Sequence, residues 1–469
     1  MCYNRKNAFG RELVAHFSLD FNNVIGKIKP MHGVGQPPIM MGYTGYMHYL
    51  KDANIPYSRL HDVGGPFGGN VFVDIPNLFR NFDADENDPA SYDFAFTDLL
   101  INSLYENDCE PIFRLGVTIE NYPHVKRYRI YPPADYAKWA RICEHVIRHY
   151  TEGWADGYTY PIRYWEIWNE PDGHETPELS ETWAGTPEQF FELYDVAAKH
   201  LKACFGDKIK VGGYAAACGF SHILTDYEKY GIKSDVVQSP ALLKLASTPR
   251  FAASLQFFFD FMEHIKVSGA PLDFFSWHSY STVDNLVIIS EFIHRKLREY
   301  GYGHVETQLN EWNNAGDATL RGKSVACARG TAVLCAMQNT EEALLCYYDA
   351  RIGHSSYAGL FDPVTRKPFC LYKSFVAFGE MYAMGHQVAC EWDDRKMYAV
   401  AATDGEKKAV LIANTSGYDR AVTTNLGRDM KVYLIDEEHL YEATDLDPAS
   451  FTVKGNQVVF IKSAEEETA

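Results

Sequence analysis

Trp165-Glu166-Ile167-Trp168-Asn169-Glu170-Pro171-Asp172 is an apolar, aromatic run that ends abruptly in an amide, a carboxylate and a proline. Proline has no N–H to give a sheet ladder, so the strand stops there and leaves Asn169 and Glu170 at its carboxyl end. Short β-rich runs recur on both sides of it: Ile28 to Val34, Tyr57 to Leu60, Pro111 to Leu115, Arg163 to Trp168, Ile209 to Gly212, Asp273 to Trp277, Glu306 to Leu309 and Leu344 to Tyr348. The first is the weakest, because Pro30 interrupts it. Longer amphipathic stretches separate the runs, including 94–106, 135–150, 283–300, 325–338 and 372–384. Parallel strands with right-handed helical crossovers, repeated to this number, close into an α/β (β/α)8 barrel. A doubly wound open sheet is the competitor, but its glycine-rich nucleotide fingerprint is absent.

The clearest helix start is Thr186-Pro187-Glu188-Gln189, which offers a Thr N-cap, Pro at the first helical position and Gln three residues after the cap. The barrel is predicted over 27–384, longer than the typical ~250 residues. The extra length falls in connections such as Pro171 to Gly185 and Tyr214 to Pro249, which follow strands and so shape a pocket. From 385 to 469 the pattern becomes alternating strands with turn clusters, which predicts an appended antiparallel β-sandwich. Residues 1–26 contain an early strand, Glu12 to Phe21, expected to pair with that sandwich; Glu465 to Glu467 reads as a solvated tail.

Composition narrows the function. With 62 Asp+Glu against 44 Lys+Arg the formal charge is -18, which repels nucleic acid and anionic membranes and favours a small neutral partner. No apolar run reaches the ~18 residues of a spanning helix, and the first residues lack the apolar core of a signal peptide. The cysteines are scattered without a CxxC pair, so they read as reduced core residues in a cytoplasmic protein. No HExxH or GxSxG occurs, and no GK[ST] follows the glycines at 33–35 and 64–69, which therefore do not make a phosphate cradle. Neither a metal nor a cofactor is expected. Oligomeric state is not encoded in any motif.

A second carboxylate, Glu311 in Gln308-Leu309-Asn310-Glu311-Trp312-Asn313, follows the seventh run as Glu170 follows the fourth. In a barrel these two strand ends face each other across one mouth. Paired carboxylates are what glycoside hydrolysis requires: one protonates the leaving oxygen while the other, ionised, attacks the anomeric carbon. From the two residues alone, a loop-capping or Arg-pairing role for each carries equal weight. His61 and His278 read as satisfied barrel histidines, and Glu166 as a structural carboxylate paired with Arg59 or Arg114. Trp168, Trp277 and Trp312 are candidate stacking platforms for a sugar, Trp312 foremost because it adjoins Glu311.

These motifs resemble the clan A retaining glycosidases and most closely glycoside hydrolase family 39, the family of β-xylosidases and α-L-iduronidases. WEIWNEP carries the likeness, supported by Arg59-Leu60-His61, Tyr92-Asp93 and His278-Ser279-Tyr280. The resemblance implies Glu170 as acid/base and Glu311 as nucleophile. It further implies Asn169 on the sugar 2-hydroxyl, Tyr280 hydrogen-bonded to the nucleophile, and His61 and His278 on the glycone. Asn310 before the nucleophile, Asp172 after the proline, and Tyr347-Tyr348-Asp349 depart from the family pattern and leave the sugar open.

The reading is an exo-acting retaining glycosidase, with β-xylosides first. α-L-Iduronidase, arabinosidase, β-glucosidase and β-galactosidase are the alternatives within the family, and a catalytically inactive sugar-binding protein is the alternative of another class. Retention predicts carboxyl groups about 5–5.5 Å apart. An iduronidase would need cations for the uronate, for which Arg351 and Arg366 are the candidates.

Overall fold

The computed structural model describes residues 14–40, 42–63, 73–118, 130–314, 317–353 and 357–464. The glycine run at 64–69, the start of the early strand and the acidic tail fall outside them. The chain opens with β1 (Val14–Lys27) and then forms a closed parallel barrel: β2 (Gly33–Gly35), β3 (Tyr57–Leu60), β4 (Glu110–Leu115), β5 (Tyr164–Ile167), β6 (Lys210–Ala216), β7 (Phe274–Ser279), β8 (Glu306–Trp312) and β9 (Leu344–Tyr348). Between them lie α1 (His48–Asp52), α2 (Ile75–Leu78), α3 (Ala95–Tyr105), α4 (Tyr136–Thr151), α5 (Pro187–Phe205), α6 (Pro240–Ala246), α7 (Pro249–Ser268), α8 (Val283–Tyr300), α9 (Ser324–Gln338) and α10 (Cys370–Met384).

The first barrel strand is a correction. It covers three residues, Gly33–Gly35, rather than the longer run beginning at Ile28, because Pro30 cannot join the ladder and Gln36 turns away at φ 55°. Gly33 is required by a close approach, since a Cβ there would meet the Leu345 carbonyl oxygen at 2.4 Å. At α5 the Thr186 hydroxyl accepts from the Gln189 N–H at 3.3 Å and the Gln189 side chain accepts from the Thr186 N–H at 2.9 Å, a complete capping box.

Strand alternation sorts the barrel into layers. Ile112, Tyr164, Phe274, Leu344 and Cys346 fill its lower interior with Tyr57, while Phe113, Trp165, Val211, Phe275, Trp277 and Leu345 face outward into the larger core beneath the helices. Above the apolar plug, Arg59 and Glu166 occupy the interior layer, both almost fully buried.

The remaining strands are β10 (His386–Trp392), β11 (Met397–Thr403), β12 (Lys408–Asn414), β13 (Arg420–Thr424), β14 (Met430–Ile435), β15 (Leu440–Thr444), β16 (Ser450–Val453) and β17 (Val458–Ser463). With β1 they form one continuous nine-stranded sheet, ordered β15-β14-β17-β12-β11-β10-β1-β13-β16. The sheet is not wholly antiparallel, since β1 runs parallel to β13. Phe451 and Val422 from one end of that order share a core with Val432 and Ile461 from the other, so the sheet curls over itself as a sandwich does. In β11 and β12, Ala399, Ala401, Val410 and Ile412 enter this core, while Val400, Ala402, Ala409 and Leu411 enter the barrel's larger core. Period-two alternation therefore glues the sheet to α9 and α10. Among the described residues no helix is long and apolar enough to cross a membrane, and the nine described cysteines are free thiols.

Candidate active site

Two local irregularities aim the catalytic candidates. Just after β5, Trp168 adopts φ 71°, leaves the inward parity it would otherwise share with Glu166, and packs outward against Trp139 and Trp183. Asn169 then turns inward, and Glu170, at φ 46°, rises at the mouth. On β8 the pairing shifts from Trp277↔Leu309 to His278↔Glu311, so Asn310 is an extra residue. The bulge lets consecutive side chains, Asn310 and Glu311, both face the interior. Trp312 is thereby sent outward.

Around Glu170 the long loop is tied down. The Thr182 hydroxyl donates to the Glu170 carbonyl at 2.5 Å, and the Trp168 indole N–H donates to the Thr182 carbonyl at 2.9 Å. Asp172 accepts from the Ala217 N–H at 3.0 Å and from the Ser254 hydroxyl, linking the β5 loop to the β6 loop and α7. Burial pushes the Asp172 carboxyl up to about 7.

Arg59 is the hub of the interior. Its Nε donates to Glu166 at 2.7 Å, Nη1 to Glu311 at 3.2 Å and Nη2 to the Asn169 side-chain oxygen at 2.6 Å. The Asn310 amide donates to the other Glu166 oxygen at 2.5 Å. Burial opposes ionisation of Glu166, but the Arg59 charge and hydrogen bonds from Ser276 and Asn310 overcome it and hold the carboxyl below its usual range. Arg114 serves Asp74 instead, at 2.5 Å. Because Arg59 occupies the Asn169 oxygen, the buried Asn169 Nδ2 keeps a donor with no partner among the described residues.

The two catalytic candidates share one imidazole. His278 Nδ1 lies 2.7 Å from Glu170 Oε1 and 3.7 Å from Glu311 Oε2, and one oxygen of each carboxylate lies within 4.8 Å of the other's. Burial drives His278 down to about 4, so it is a neutral hydrogen-bonding ring. Burial also pushes both carboxyl groups up to about 7. At this spacing they titrate as a pair, and the question is which keeps the proton. Glu311 accepts from two constant donors, Arg59 and the Tyr280 hydroxyl, which burial keeps protonated. Glu170 faces the neutral His278 and one side of a cavity of about 40 Å³ lined also by Cys218, Arg250 and Phe251. Glu311 thus has two fixed donors, where Glu170 has His278 and the Arg250 charge. Each of Glu170, His278 and Glu311 also offers an atom to a divalent ion, but Arg59 already supplies the compensating positive charge.

His61 is buried beside Asp62, its Nε2 3.2 Å from Oδ1. The Tyr348 hydroxyl donates to Asp62 at 3.0 Å and accepts from Gln36 Nε2 at 2.7 Å, which joins the ends of β2, β3 and β9. The Trp312 platform is a correction: the ring is fully buried and packs edge-on against Tyr347 at 5.1 Å, so it presents no face to a sugar. Trp168 and Trp277 are likewise buried among the helices. The aromatic wall beside Glu311 is made of tyrosines. Tyr357 stacks on Tyr280 at 5.0 Å, and Tyr348 meets Tyr357 edge-on at 5.3 Å. The sequence offers Arg59 as a partner of Glu166 and as part of the Arg59-Leu60-His61 motif, but not as a ligand of Glu311; Gln36, Asp62 and Tyr357 carry no sequence signal beyond lying after barrel strands. Arg351 is held by Asp349 at 3.0 and 3.1 Å and Arg366 by the Tyr46 hydroxyl at 3.1 Å.

Comparison with known proteins identifies the family. The model of the glycosyl hydrolases family 39 matches residues 69–308, just over half of the chain. A β-xylosidase of Geobacillus stearothermophilus is 23% identical over 253 residues, covering 52% of this chain and 40% of that protein. A β-xylosidase of Caldicellulosiruptor saccharolyticus is 31% identical over 159 residues, covering 32% and 30%. The chain thus spans less than half the length of the curated relatives it matches. A glucosidase from Croceicoccus marinus shares the fold at TM-score 0.74 and 21% identity, covering 97% of this chain and 100% of that one. A family 39 β-xylosidase from Caulobacter crescentus does so at 0.67 and 16%, covering 96% and 100%. The matched segment contains both the Asn169-Glu170 strand end and the His278-Ser279-Tyr280 strand, and the chain belongs to glycosyl hydrolase family 39.

Proposed function

We propose that the protein is an exo-acting retaining glycosidase of neutral sugars, with β-xylosides as its first substrates. The observation that carries this reading is the pairing of Glu170 and Glu311, with oxygens within 4.8 Å and unequal hydrogen-bond donors. So close an approach of two oxygens supports the ~5–5.5 Å separation of double displacement over the ~6.5–9.5 Å that admits a water between the groups. Glu311 attacks the anomeric carbon, and the proton on Glu170 passes to the departing oxygen as the glycosidic bond breaks. Glu170, now ionised, takes a proton from water, whose oxygen displaces Glu311 and restores the starting state. That Asn169 Nδ2 has no partner among the described residues supports the reading in which it donates to the sugar 2-hydroxyl, a bond that strengthens in the transition state.

Arg351 and Arg366 are both engaged by protein partners, which favours a neutral glycone over a uronate. The curated relatives are β-xylosidases, and the Croceicoccus marinus structure is a glucosidase, so β-glucosides form the second arm of the test. A panel of nitrophenyl glycosides and xylo-oligosaccharides, followed by NMR, is expected to give β-xylose as the first-formed anomer and monomeric product. Inverted product would overturn the retaining reading. Binding without turnover would make the protein a sugar binder.

A further inference from the structure

On the barrel flank, α4 and α5 pack side by side and bring together Glu144, His200 and Cys204. His200 and Cys204 are four residues apart on α5, so their side chains share one face of the helix. His200 Nε2 lies 2.6 Å from Glu144 Oε2 and 3.8 Å from Cys204 Sγ, and the three atoms lie within 4.8 Å of one another. The side chains are partly covered, with His200 30% and Glu144 14% exposed. A thiol, an imidazole and a carboxylate converging between two rigid helices is a ligand set in want of a soft or borderline cation.

We propose that Glu144, His200 and Cys204 form a binding site for a zinc-class divalent ion that clamps α4 to α5. Zinc bond lengths place tetrahedral S···N at about 3.6 Å and N···O at about 3.4 Å. The thiol is therefore already close to its place, and the Glu144 carboxylate need only swing outward by less than about 1 Å. The other Glu144 oxygen accepts from Arg148 Nε at 2.7 Å, which orients the carboxylate while leaving Oε2 for the ion. Arg148 is itself fixed by Glu152 and by the Phe205 ring, 5.1 Å away. Binding replaces the thiol proton by the metal, releasing that proton to solvent, and solvent completes the tetrahedron. Helix α5 starts at the catalytic face, and His200 and Cys204 lie near its other end. The ion is accordingly structural and remote from Glu170 and Glu311.

The test is titration of the chelator-stripped, reduced full chain with Co²⁺, read by absorption, followed by displacement with Zn²⁺. One thiolate-to-cobalt charge-transfer band per chain is expected, abolished in Cys204→Ser and in His200→Ala. Zn²⁺ at a hundredfold excess over Kd should raise Tm by about 2–3 °C in the wild type and in neither variant. A cobalt ion held by Glu170, His278 and Glu311 would give no thiolate band, so the two sites are distinguishable. No band in the wild type, or a band that survives Cys204→Ser, would overturn the proposal.

Discussion

The barrel mouth and the curled β-sheet bury opposite kinds of matter. At the mouth Arg59, Glu166, Asn169, His278 and Glu311 are almost wholly enclosed, and their charges are met by one another. The sheet encloses Ala399, Ile412, Val432, Val459 and Ile461 around a dry core. Even its buried carboxyl behaves differently. Burial opposes ionisation of Asp436, but donors from Gln457, His439 and Glu438 overcome it and hold the group below the usual range. At the mouth Arg59 holds Glu166 down in the same way, but burial wins at Glu170, Glu311 and Asp172, which are all pushed up. Stability is stored in the sheet, whereas the mouth holds groups in costly protonation states that chemistry can use.

The strongest test of that contrast is Glu311→Ala, expected to lower kcat on nitrophenyl β-xyloside by about 10⁴-fold or more without lowering Tm. A variant that keeps a tenth of the activity would remove the nucleophile from the mouth. Next comes Glu170→Ala, which should cost about 10²–10⁴-fold with poor leaving groups and much less with good ones. In the wild type kcat/KM should fall on the alkaline side as Glu170, raised by burial to about 7, loses its proton; the variant's profile should lack that limb. Equal losses for both classes of leaving group would contradict the acid role.

Ile461→Ala probes the other region. It should cost about 2–4 kcal/mol in denaturant unfolding, because Ile461 is fully buried, with kcat/KM unchanged where the protein is folded. The smallest effect is a difference in pH dependence. Asp172 has a folded pKa above its unfolded one, so its contribution is complete at low pH and is lost as pH rises through about 7. Asp436 has the opposite sign, and its contribution is lost as pH falls. Tm measured against pH should therefore decline less toward pH 8 in Asp172→Asn and less toward acid in Asp436→Asn. The same slope in both variants would erase the distinction between the regions.

Much of the architecture is legible in the sequence because apolar periodicity and proline report local backbone needs. The Trp165 to Pro171 run, the capping box at Thr186 and the strands around Val410 and Val432 all lie where local pattern and burial agree. β10, β15 and β16 give no such signal, since two are short and half-exposed and the third begins at the helix exit. Trp312 defies the sequence reading for another reason. Its neighbour Glu311 faces inward only because of a bulge, and a bulge is the outcome of pairing with β7, not a property of β8 alone.

The amino-acid order by itself determined that eight β-rich runs alternate with helices, that two carboxylates end two of those runs, and that the chain carries a net negative charge. Tertiary structure alone decided which groups meet: Arg59 bridging Glu166, Asn169 and Glu311, His278 lying between the two glutamates, and Tyr357 stacking on Tyr280. The division is physical. Backbone preference is settled within a few residues of chain, whereas burial and the raised pKa values of Glu170 and Glu311 depend on atoms that closure of the barrel brings together from distant strands.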